Sequence, residues 1–365
     1  MLNKIAPPHL AESWDNAGLQ VGDPGQEVSG VMVALEATEH TVESALASSC
    51  NLLVTHHPLI FKPLASISAA TPQGRLIKRA FSAGLNIFSI HTSYDIAGDG
   101  LNDVLAAALG LLQLRALKPV STQELVKLVV FVPADHLEPL RQALVPWTVQ
   151  QGAYCGCSFA ASGEGTFTPL EGARPFIGSI GMAERVAEQR LELLLDRSNL
   201  SRAIKALMAT HPYQEPAFDI YPLLNQGRIH SLGRIGTLAS PMRLAEFSAM
   251  TARTLSTQTL RYVGDPCRIL RTVAICSGSG ASLLRDSLRA GVDALVTGDV
   301  KYHEAREAEE QGIALVDAGH FATEIIMTDA VAGRLRQMLD LAGHTACGVE
   351  VCRMERDPFH LIPPT

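Results

Sequence analysis

Two adjacent histidines, His56 and His57, close an apolar segment and are followed directly by a proline. The residues before them, Leu52–Thr55, are apolar and partly β-branched, a pattern typical of a short buried strand. Imidazoles at the end of a buried strand need a partner, because an unpaired polar group in an apolar environment is costly. The pair therefore indicates a ligand-binding site, and the alternative is a turn that carries two solvated histidines.

Similar side chains follow two further predicted strands. His91 and Asp95 end one strand, while His320 and Glu324 follow another and share one face of a helical first turn. Ligands of open α/β sheets bind at the carboxyl ends of the strands, and imidazole with carboxylate suits Zn, Mn, Fe or Co. The candidate metal ligands are His56, His57, Asp95, His320 and Glu324. These exceed the four ligands of a tetrahedral zinc site, so a bridging carboxylate such as Asp95 would allow two ions to bind roughly 3.5–4 Å apart.

Each of these residues also has an ordinary structural interpretation. His91 alone fits a hydrogen-bonded core histidine, and His320 fits a histidine that caps a helix. Glu324 fits a solvated carboxylate in a first helical turn, where the helix dipole favours it. Their convergence at one predicted sheet edge, in both halves of the chain, favours a metal site over three separate structural roles.

Two glycine-containing stretches are further candidates. Residues 276–282, "CSGSGAS", follow a strand and open a helix, as phosphate-binding loops do. They lack the G-x-x-x-x-G-K-[ST] and G-x-G-x-x-G patterns of nucleotide-binding loops. Contact with an anionic substrate group and a purely structural loop are therefore both left open. Residues 12–24 place Trp14, Asp15 and Asn16 in a glycine-punctuated turn, whose simplest role is structural, with Asp15 or Asn16 bonded to local backbone.

Composition limits the class of protein. The 365 residues are 47% hydrophobic and 18% charged, which predicts a packed core and two domains of roughly 150 residues each. The net charge of −7, without a cluster of cations, argues against nucleic acid as a partner. The chain shows neither a signal-peptide core nor an apolar run of roughly 20 residues that would span a membrane. Seven scattered cysteines fit reduced thiols, so we expect a cytoplasmic protein.

Both outer thirds of the chain alternate strands with helices, which predicts a mostly parallel sheet covered by helices. The predicted strands are 28–38, 51–55, 85–95, 272–280, 292–300 and 313–320. The predicted helices are 39–49, 74–84, 100–110, 281–291, 302–312 and 321–343. Residues 52–58, "LLVTHHP", correspond to residues 294–300, "ALVTGDV", which indicates two similar three-layer α/β/α halves.

The middle of the chain, residues 122–228, interrupts this alternation. Its pattern is a strand, a helix, a hairpin of short strands over 153–169, a further strand, a helix and a final strand. This order resembles a ferredoxin-like module. The predicted fold class is therefore α/β, with one domain formed by residues 1–121 and 229–365 and an α+β insert at 122–228.

Several motifs together resemble the Nif-three-like family (NGG-one-interacting factor three). They are "WDNAGLQVG", "LLVTHHPLIF", "IHTSYDIAGDGLND", "GDVKYHEA" and "DAGHFATE". Bacterial members of this family are often called homologues of type-2 GTP cyclohydrolase I. The stretch ending in "HPYQEPAFDIYPL" resembles the insert of longer members, which is similar to PII signalling proteins and CutA-like domains.

The resemblance implies a dinuclear metal centre with two divalent ions per subunit. By the matching motifs its ligands fall on His56, His57, Asp95, His320 and Glu324. His91 would stand beside the site as a general acid–base candidate. The resemblance also implies a toroidal homohexamer, a trimer of dimers, with the metal sites facing its interior cavity and the insert capping the ring.

Two main classes of function follow. The first is a two-metal hydrolase that acts on a nucleotide such as GTP or on another phosphorylated small molecule, with His91 as proton shuttle. The second is a metal-binding or regulatory scaffold whose insert senses a small effector. A partner-binding adaptor is suggested by the family name alone. A position left open for water at the metal would distinguish the hydrolase from the scaffold.

Overall fold

The structure, a computed structural model, describes residues 1–360 of the chain, and residues 361–365 of the predicted domain at 229–365 lie outside it. The strands are β1 (Gly18–Val21), β2 (Gly30–Ala34), β3 (Leu52–Thr55), β4 (Asn86–Ser89), β5 (Leu111–Thr122), β6 (Leu125–Pro133), β7 (Ser158–Phe167), β8 (Glu184–Asp196), β9 (Phe218–Pro222), β10 (Ile229–Arg243), β11 (Arg261–Val263), β12 (Ile269–Ile275), β13 (Ala294–Thr297), β14 (Ala314–Asp317) and β15 (Gly348–Val351). The α-helices are α1 (Leu2–Ile5), α2 (Glu39–Ala47), α3 (Pro72–Ser82), α4 (His91–Ile96), α5 (Leu101–Ala108), α6 (Leu137–Leu144), α7 (Leu200–Thr210), α8 (Leu244–Thr254), α9 (Leu284–Arg289), α10 (Tyr302–Gln311), α11 (His320–Glu324) and α12 (Met327–Leu341).

The chain divides into two compact units. The larger consists of Met1–Ser121 and Ile229–Thr365, and the smaller of Thr122–Arg228. Within residues 1–360, no helix combines the length and the apolar character that crossing a bilayer requires. The predicted homohexamer, the internal duplication and the likeness of the insert to PII proteins stay predictions.

One sheet of the larger unit has five strands in the order β1-β4-β3-β2-β15. The strands β15, β2, β3 and β4 are mutually parallel, and β1 runs antiparallel to β4. Helices cover both faces, so β2 is buried at every position. Successive side chains of a strand point to opposite faces: Val33 joins the buried cluster of Val331 in α12, and Met32 that of Leu76 in α3.

The second sheet of this unit has six strands in the order β11-β14-β13-β12-β10-β5. Its centre is parallel, because β12 pairs with β13 and β13 with β14 in that sense. The strand β10 runs antiparallel to β12, and β11 runs antiparallel to β14. The long strands β5 and β10 were not among the predicted elements. Most residues of β5 are exposed, so it lacks the apolar run that marks a buried strand.

Several predicted elements of the larger unit differ from the structure in their extent, and two of the differences concern the candidate ligands most directly. The strand predicted over 85–95 ends at Ser89, and α4 begins at His91 because Tyr94 donates its backbone N–H to the carbonyl of Ile90. His91 and Asp95 therefore lie one helical turn apart on one helix. The helix predicted over 321–343 is divided into α11 and α12.

The smaller unit contains a four-stranded sheet in the order β7-β8-β6-β9, with every pairing antiparallel. Its chain order is β-α-β-β-α-β, that of the ferredoxin-like motif. Leu128 and Leu193 of the sheet pack with Leu140 of α6 and Leu207 of α7. The hairpin of short strands predicted over 153–169 is wrong, because residues 158–167 form one strand that pairs with β8 along its whole length.

Candidate metal centre

The carboxyl ends of parallel strands from both sheets of the larger unit supply the candidate ligands. His56 and His57 follow β3 directly, Asp95 lies in α4 after β4, and His320 and Glu324 open and close α11 after β14. Three potential ligand atoms lie within 4.8 Å of one another, one each from His56, His57 and Glu324. Such a group could hold a metal ion. The predicted strand ends are thus close together in space.

His57, His320 and Glu324 form the first group of ligand atoms. Oε2 of Glu324 lies 3.0 Å from Nε2 of His57 and 3.0 Å from Nε2 of His320. The two Nε2 atoms are 3.3 Å apart. Tetrahedral bonds of about 2.0–2.1 Å place neighbouring ligand atoms roughly 3.3 Å from one another, so this triangle has the dimensions of one face of a metal site.

The second group contains His56, Asp95 and the other oxygen of Glu324. Nε2 of His56 lies 3.5 Å from Oδ1 of Asp95 and 3.6 Å from Oε1 of Glu324. These distances exceed those of good hydrogen bonds. Glu324 therefore presents one carboxylate oxygen to each group. The bridging role suggested for Asp95 stays a prediction.

Unpaired buried atoms support a metal at these positions. His56 is fully buried, and neither of its ring nitrogens has a hydrogen-bond partner among the described residues. Oε2 of Glu324 is also buried and makes no hydrogen bond of good geometry with the histidines beside it. Because an unpaired buried polar atom costs about 1–3 kcal/mol, such atoms call for a further partner. The donor set, imidazole nitrogen with carboxylate oxygen, fits a divalent transition metal.

Two carboxylates orient the outer histidines of the cluster. Oε1 of Glu36 lies 2.7 Å from Nδ1 of His57, and Oδ2 of Asp299 lies 2.7 Å from Nδ1 of His320. Each contact leaves Nε2 directed at the first group, as in the carboxylate–histidine–metal arrangement of metalloproteins. Sequence reasoning missed both residues, although each lies two positions after a parallel strand, β2 or β13.

His91 lies beside the cluster and is held by Asp15. The ring centre of His91 lies 5.4 Å from that of His56 and 5.5 Å from that of His57. Oδ1 of Asp15 lies 2.7 Å from Nδ1 of His91, and Oδ2 accepts from the backbone and the hydroxyl of Thr92. Although burial opposes the charge, the contacts with His91 and Thr92 hold the pKa of Asp15 below its usual value. Oδ1 of Asp15 also accepts the backbone N–H of Asn16 over 2.7 Å, so the local backbone bond expected from sequence is present beside the contact with His91.

The charges of the cluster depend strongly on one another. Burial lowers the pKa of His57, but the carboxylates of Glu324 and Glu36 outweigh it and raise this pKa to about 10. Contact with Glu324 also raises the pKa of His320 to about 9, against the effect of burial. Burial favours the neutral form of Glu324, yet the surrounding histidines hold its pKa well below the usual value. Binding of a cation would have to displace protons from the two histidines.

The glycine-containing loop at 276–282 packs directly against the ligands. The hydroxyl of Ser277 donates to Oδ1 of Asp95 over 3.2 Å. Gly278 has a φ of +60°, and a Cβ atom there would lie 2.1 Å from Oε1 of Glu324. Glycine is therefore required at this position on two grounds, backbone conformation and space. These contacts give the loop a structural role at the site, and its contact with an anion stays a prediction.

A cleft of about 1350 Å³ opens beside the first group of ligands. His57, His320, Glu36 and Asp299 lie in its wall, together with residues 258–261 and 354–359. The side chain of His320 is 35% exposed, whereas that of Glu324 is only 5% exposed. A small molecule can therefore reach the His57–His320 side of the cluster from solvent.

Fold and site together define an α/β protein with a histidine- and carboxylate-rich candidate metal centre at the carboxyl ends of parallel strands. The model of one family, Duf34/NIF3 (NGG1p interacting factor 3), matches residues 1–358. The chain belongs to this family, which confirms the resemblance seen in the sequence motifs.

Similar proteins cover nearly the whole chain. A protein of Halalkalibacterium halodurans called "GTP cyclohydrolase 1 type 2 homolog" is 38% identical over 363 residues, which are 99% of this chain and 97% of that protein. A protein of the same name from Bacillus subtilis is 38% identical over 365 residues, 99% of this chain and 97% of that one. The crystal structure of a Bacillus cereus protein related to NIF3 superposes with a TM-score of 0.86 at 36% identity, covering 99% of this chain and 97% of that chain.

Proposed function

We propose that the chain binds two divalent metal ions and acts as a metal-dependent hydrolase on a nucleotide or another phosphorylated small molecule. The observation that carries this proposal is the position of Glu324, whose two carboxylate oxygens face separate groups of ligand atoms. His57 and His320 belong to one group, and His56 and Asp95 to the other.

A pair of bound divalent ions supplies an activated water and polarises the bond under attack. The residues of the chain supply orientation and proton transfer. Asp15 occupies Nδ1 of His91, so Nε2 of that ring is the atom that would take a proton and return it. Glu36 and Asp299 hold the rings of the two exposed ligands in place. His91 is therefore the general acid–base of the proposed reaction.

The cleft supports a small anionic substrate. Its volume of about 1350 Å³ is ample for a nucleotide, and it leads to His57 and His320. Arg356 lies in its wall and would offer positive charge to a phosphate group. Arg261, also in the wall, is paired with Asp317. The other carboxylates of the wall, Glu36, Asp299, Glu355 and Asp357, would oppose an anion that is not held by the metal ions. The name of the curated relatives, "GTP cyclohydrolase 1 type 2 homolog", points to GTP among the nucleotides to be tested.

The alternative is a metal-binding or regulatory scaffold without catalysis. The near-complete burial of His56, Asp95 and Glu324 favours it, because structural metal sites are closed whereas catalytic sites keep an open position. The partial exposure of His320 favours the hydrolase. In the scaffold, the unit at 122–228 would sense a small effector.

The two proposals differ in what metal-loaded protein does to substrates. The protein would be loaded with Zn, Mn, Fe or Co and offered GTP, other nucleotides, phosphate esters and cyclic amides, beside His91→Gln. Turnover that falls in the variant at unchanged metal content supports the hydrolase. Two ions per chain without turnover of any compound supports the scaffold. Failure to bind any of the four metals would defeat both.

A further inference from the structure

The end of the described chain forms part of the cleft beside the candidate metal centre. Residues 352–360, here called the C-terminal strap, follow β15 and begin with a hydrogen bond from the backbone of Cys352 to the carbonyl of Val33 in β2. Arg353 then pairs with Asp329 of α12, with N–O distances of 2.5 and 2.7 Å. Residues 354–359 form part of the cleft wall. The strap is thus fixed to the core before it reaches the cleft.

Glu355 makes the central contact of the strap. Its Oε2 accepts the backbone N–H of Leu35 over 2.8 Å, and its Oε1 accepts that of Glu36 over 2.8 Å. These are consecutive amides between the end of β2 at Ala34 and the start of α2 at Glu39. Neither therefore belongs to a helix that would supply it with a hydrogen-bond acceptor. A carboxylate that binds two neighbouring amides fixes both the position and the orientation of that peptide.

The peptide that Glu355 holds carries the carboxylate that orients a metal ligand. The carbonyl of Glu36 accepts the hydroxyl of Thr41 over 2.8 Å, so the backbone of Glu36 is held on both sides. The side chain of Glu36 is 51% exposed and reaches Nδ1 of His57 at 2.7 Å. An exposed glutamate side chain can adopt many rotamers, and ordering it costs conformational entropy. The fixed backbone of Glu36 reduces the number of positions open to its carboxylate and so favours the contact with His57.

We infer that Glu355 is a positioning residue for the proposed metal pair. Glu355 acts through Glu36 on the ring of His57. This inference rests on the proposed metal-binding function and deepens it. A contiguous series of contacts joins the strap to the ligand group: Glu355 to the amide of Glu36, Glu36 to Nδ1 of His57, and Nε2 of His57 to Glu324. The strap thereby connects the wall of the cleft to the geometry of the metal centre.

The test is a double-mutant cycle on metal affinity. Co²⁺ would be titrated into metal-free wild type, Glu355→Ala, Glu36→Gln and the double variant, with the visible absorption of histidine-bound Co²⁺ as the signal. We expect Glu355→Ala to weaken one of the two binding steps by at most the loss in Glu36→Gln, which is about 10- to 100-fold for a direct orienting partner. We expect the double variant to bind no more weakly than Glu36→Gln alone, because coupled residues are non-additive. Glu355→Asp, which keeps the carboxylate, should recover part of the loss.

Glu350→Ala is the matched control, since Glu350 is an exposed glutamate of the adjacent strand β15. Thermal unfolding of the metal-free variants separates affinity from folding. Unchanged affinity in Glu355→Ala, with or without a lower Tm, would overturn the inference, and so would additive losses in the double variant. Absence of two binding steps in the wild type would instead defeat the proposed function on which the inference rests.

Discussion

Oε2 of Glu324 lies 3.0 Å from Nε2 of His57, and this contact joins a helix that follows one sheet to a loop that follows the other. The other oxygen of the same carboxylate faces His56. A single side chain therefore closes both ligand groups. This position makes Glu324 the residue on which both proposed ions depend.

Glu324→Gln should remove both ions, because an amide keeps the shape but loses the charge that faces each group. Asp95→Asn should weaken only the group of His56, since Asp95 lies beside His56 and not beside Nε2 of His57 or His320 in the first group. Elemental mass spectrometry of purified protein measures ions per chain. Wild-type metal content in Glu324→Gln would contradict the bridging role.

Glu36→Gln and Asp299→Asn should each lower metal affinity by about 10- to 100-fold, because each removes the carboxylate that orients a histidine ligand. Both side chains are about half exposed, at 51% and 49%, so thermal stability should change little. Isothermal titration with Zn²⁺ or Mn²⁺ measures the affinity. Glu39→Gln, at an exposed glutamate in the first turn of α2, is the control and should bind as wild type does.

His91→Gln should lower turnover by about 10²- to 10⁴-fold, the usual contribution of a general acid–base. Its metal content should be unchanged, because the ring is held by Asp15 beside the ligands. Asp15→Asn should lower turnover in the same direction, since Nδ1 of His91 loses its anionic partner. Steady-state kinetics beside metal analysis measures both quantities. Loss of metal in His91→Gln would instead make His91 a ligand.

Gly278→Ala should destabilise the fold and empty the metal centre, whereas Gly291→Ala should only destabilise it. The two glycines have similar φ values, +60° and +66°, so each alanine pays about 1–2 kcal/mol for a left-handed backbone. Only at Gly278 would the new Cβ also meet Oε1 of Glu324, since Gly291 has open space around it. Thermal unfolding and metal content measure the two effects. Equal metal loss in both variants would show that strain alone is responsible.

Acid should destabilise the unit at 122–228 through His211. Burial lowers the pKa of this histidine, whose Nε2 donates to the carbonyl of Phe131 and whose Nδ1 accepts from Tyr213. A histidine whose pKa is lower in the folded state binds more protons when unfolded. The stability that it contributes is therefore complete above about pH 6.5 and is lost as the pH falls below that value.

Urea unfolding at pH 7.5 and pH 5.5 checks this, with the fluorescence of Trp147 as the signal in a Trp14→Phe background. The chain has two tryptophans, and Trp147 lies in the smaller unit. His211→Gln should unfold with a weaker dependence on pH than the parent. If the stability of both proteins changed equally between pH 7.5 and pH 5.5, groups other than His211 would be responsible for the loss of stability in acid.

Local sequence was sufficient to place the candidate histidines and carboxylates just after strands. His56 and His57 follow the predicted strand over Leu52–Thr55, whose bounds agree with β3, because an apolar β-branched run reports burial within one element. The same reasoning failed for β5, whose exposed residues carry no such run. It also extended one strand through His91, because a helix that follows a strand directly has no break in its apolar residues.

The pairing of side chains was decided by the tertiary structure alone. No spacing in the chain indicates that Glu36 meets His57, that Asp299 meets His320 or that Asp15 meets His91, because these contacts join different strand ends. The position of Glu324 between the two groups of ligand atoms likewise depends on how the two sheets of the larger unit bring their carboxyl ends together. Sequence therefore determined which chemical groups this protein presents. Only long-range packing decided which of them touch, since periodicity describes burial within an element and not contacts between elements.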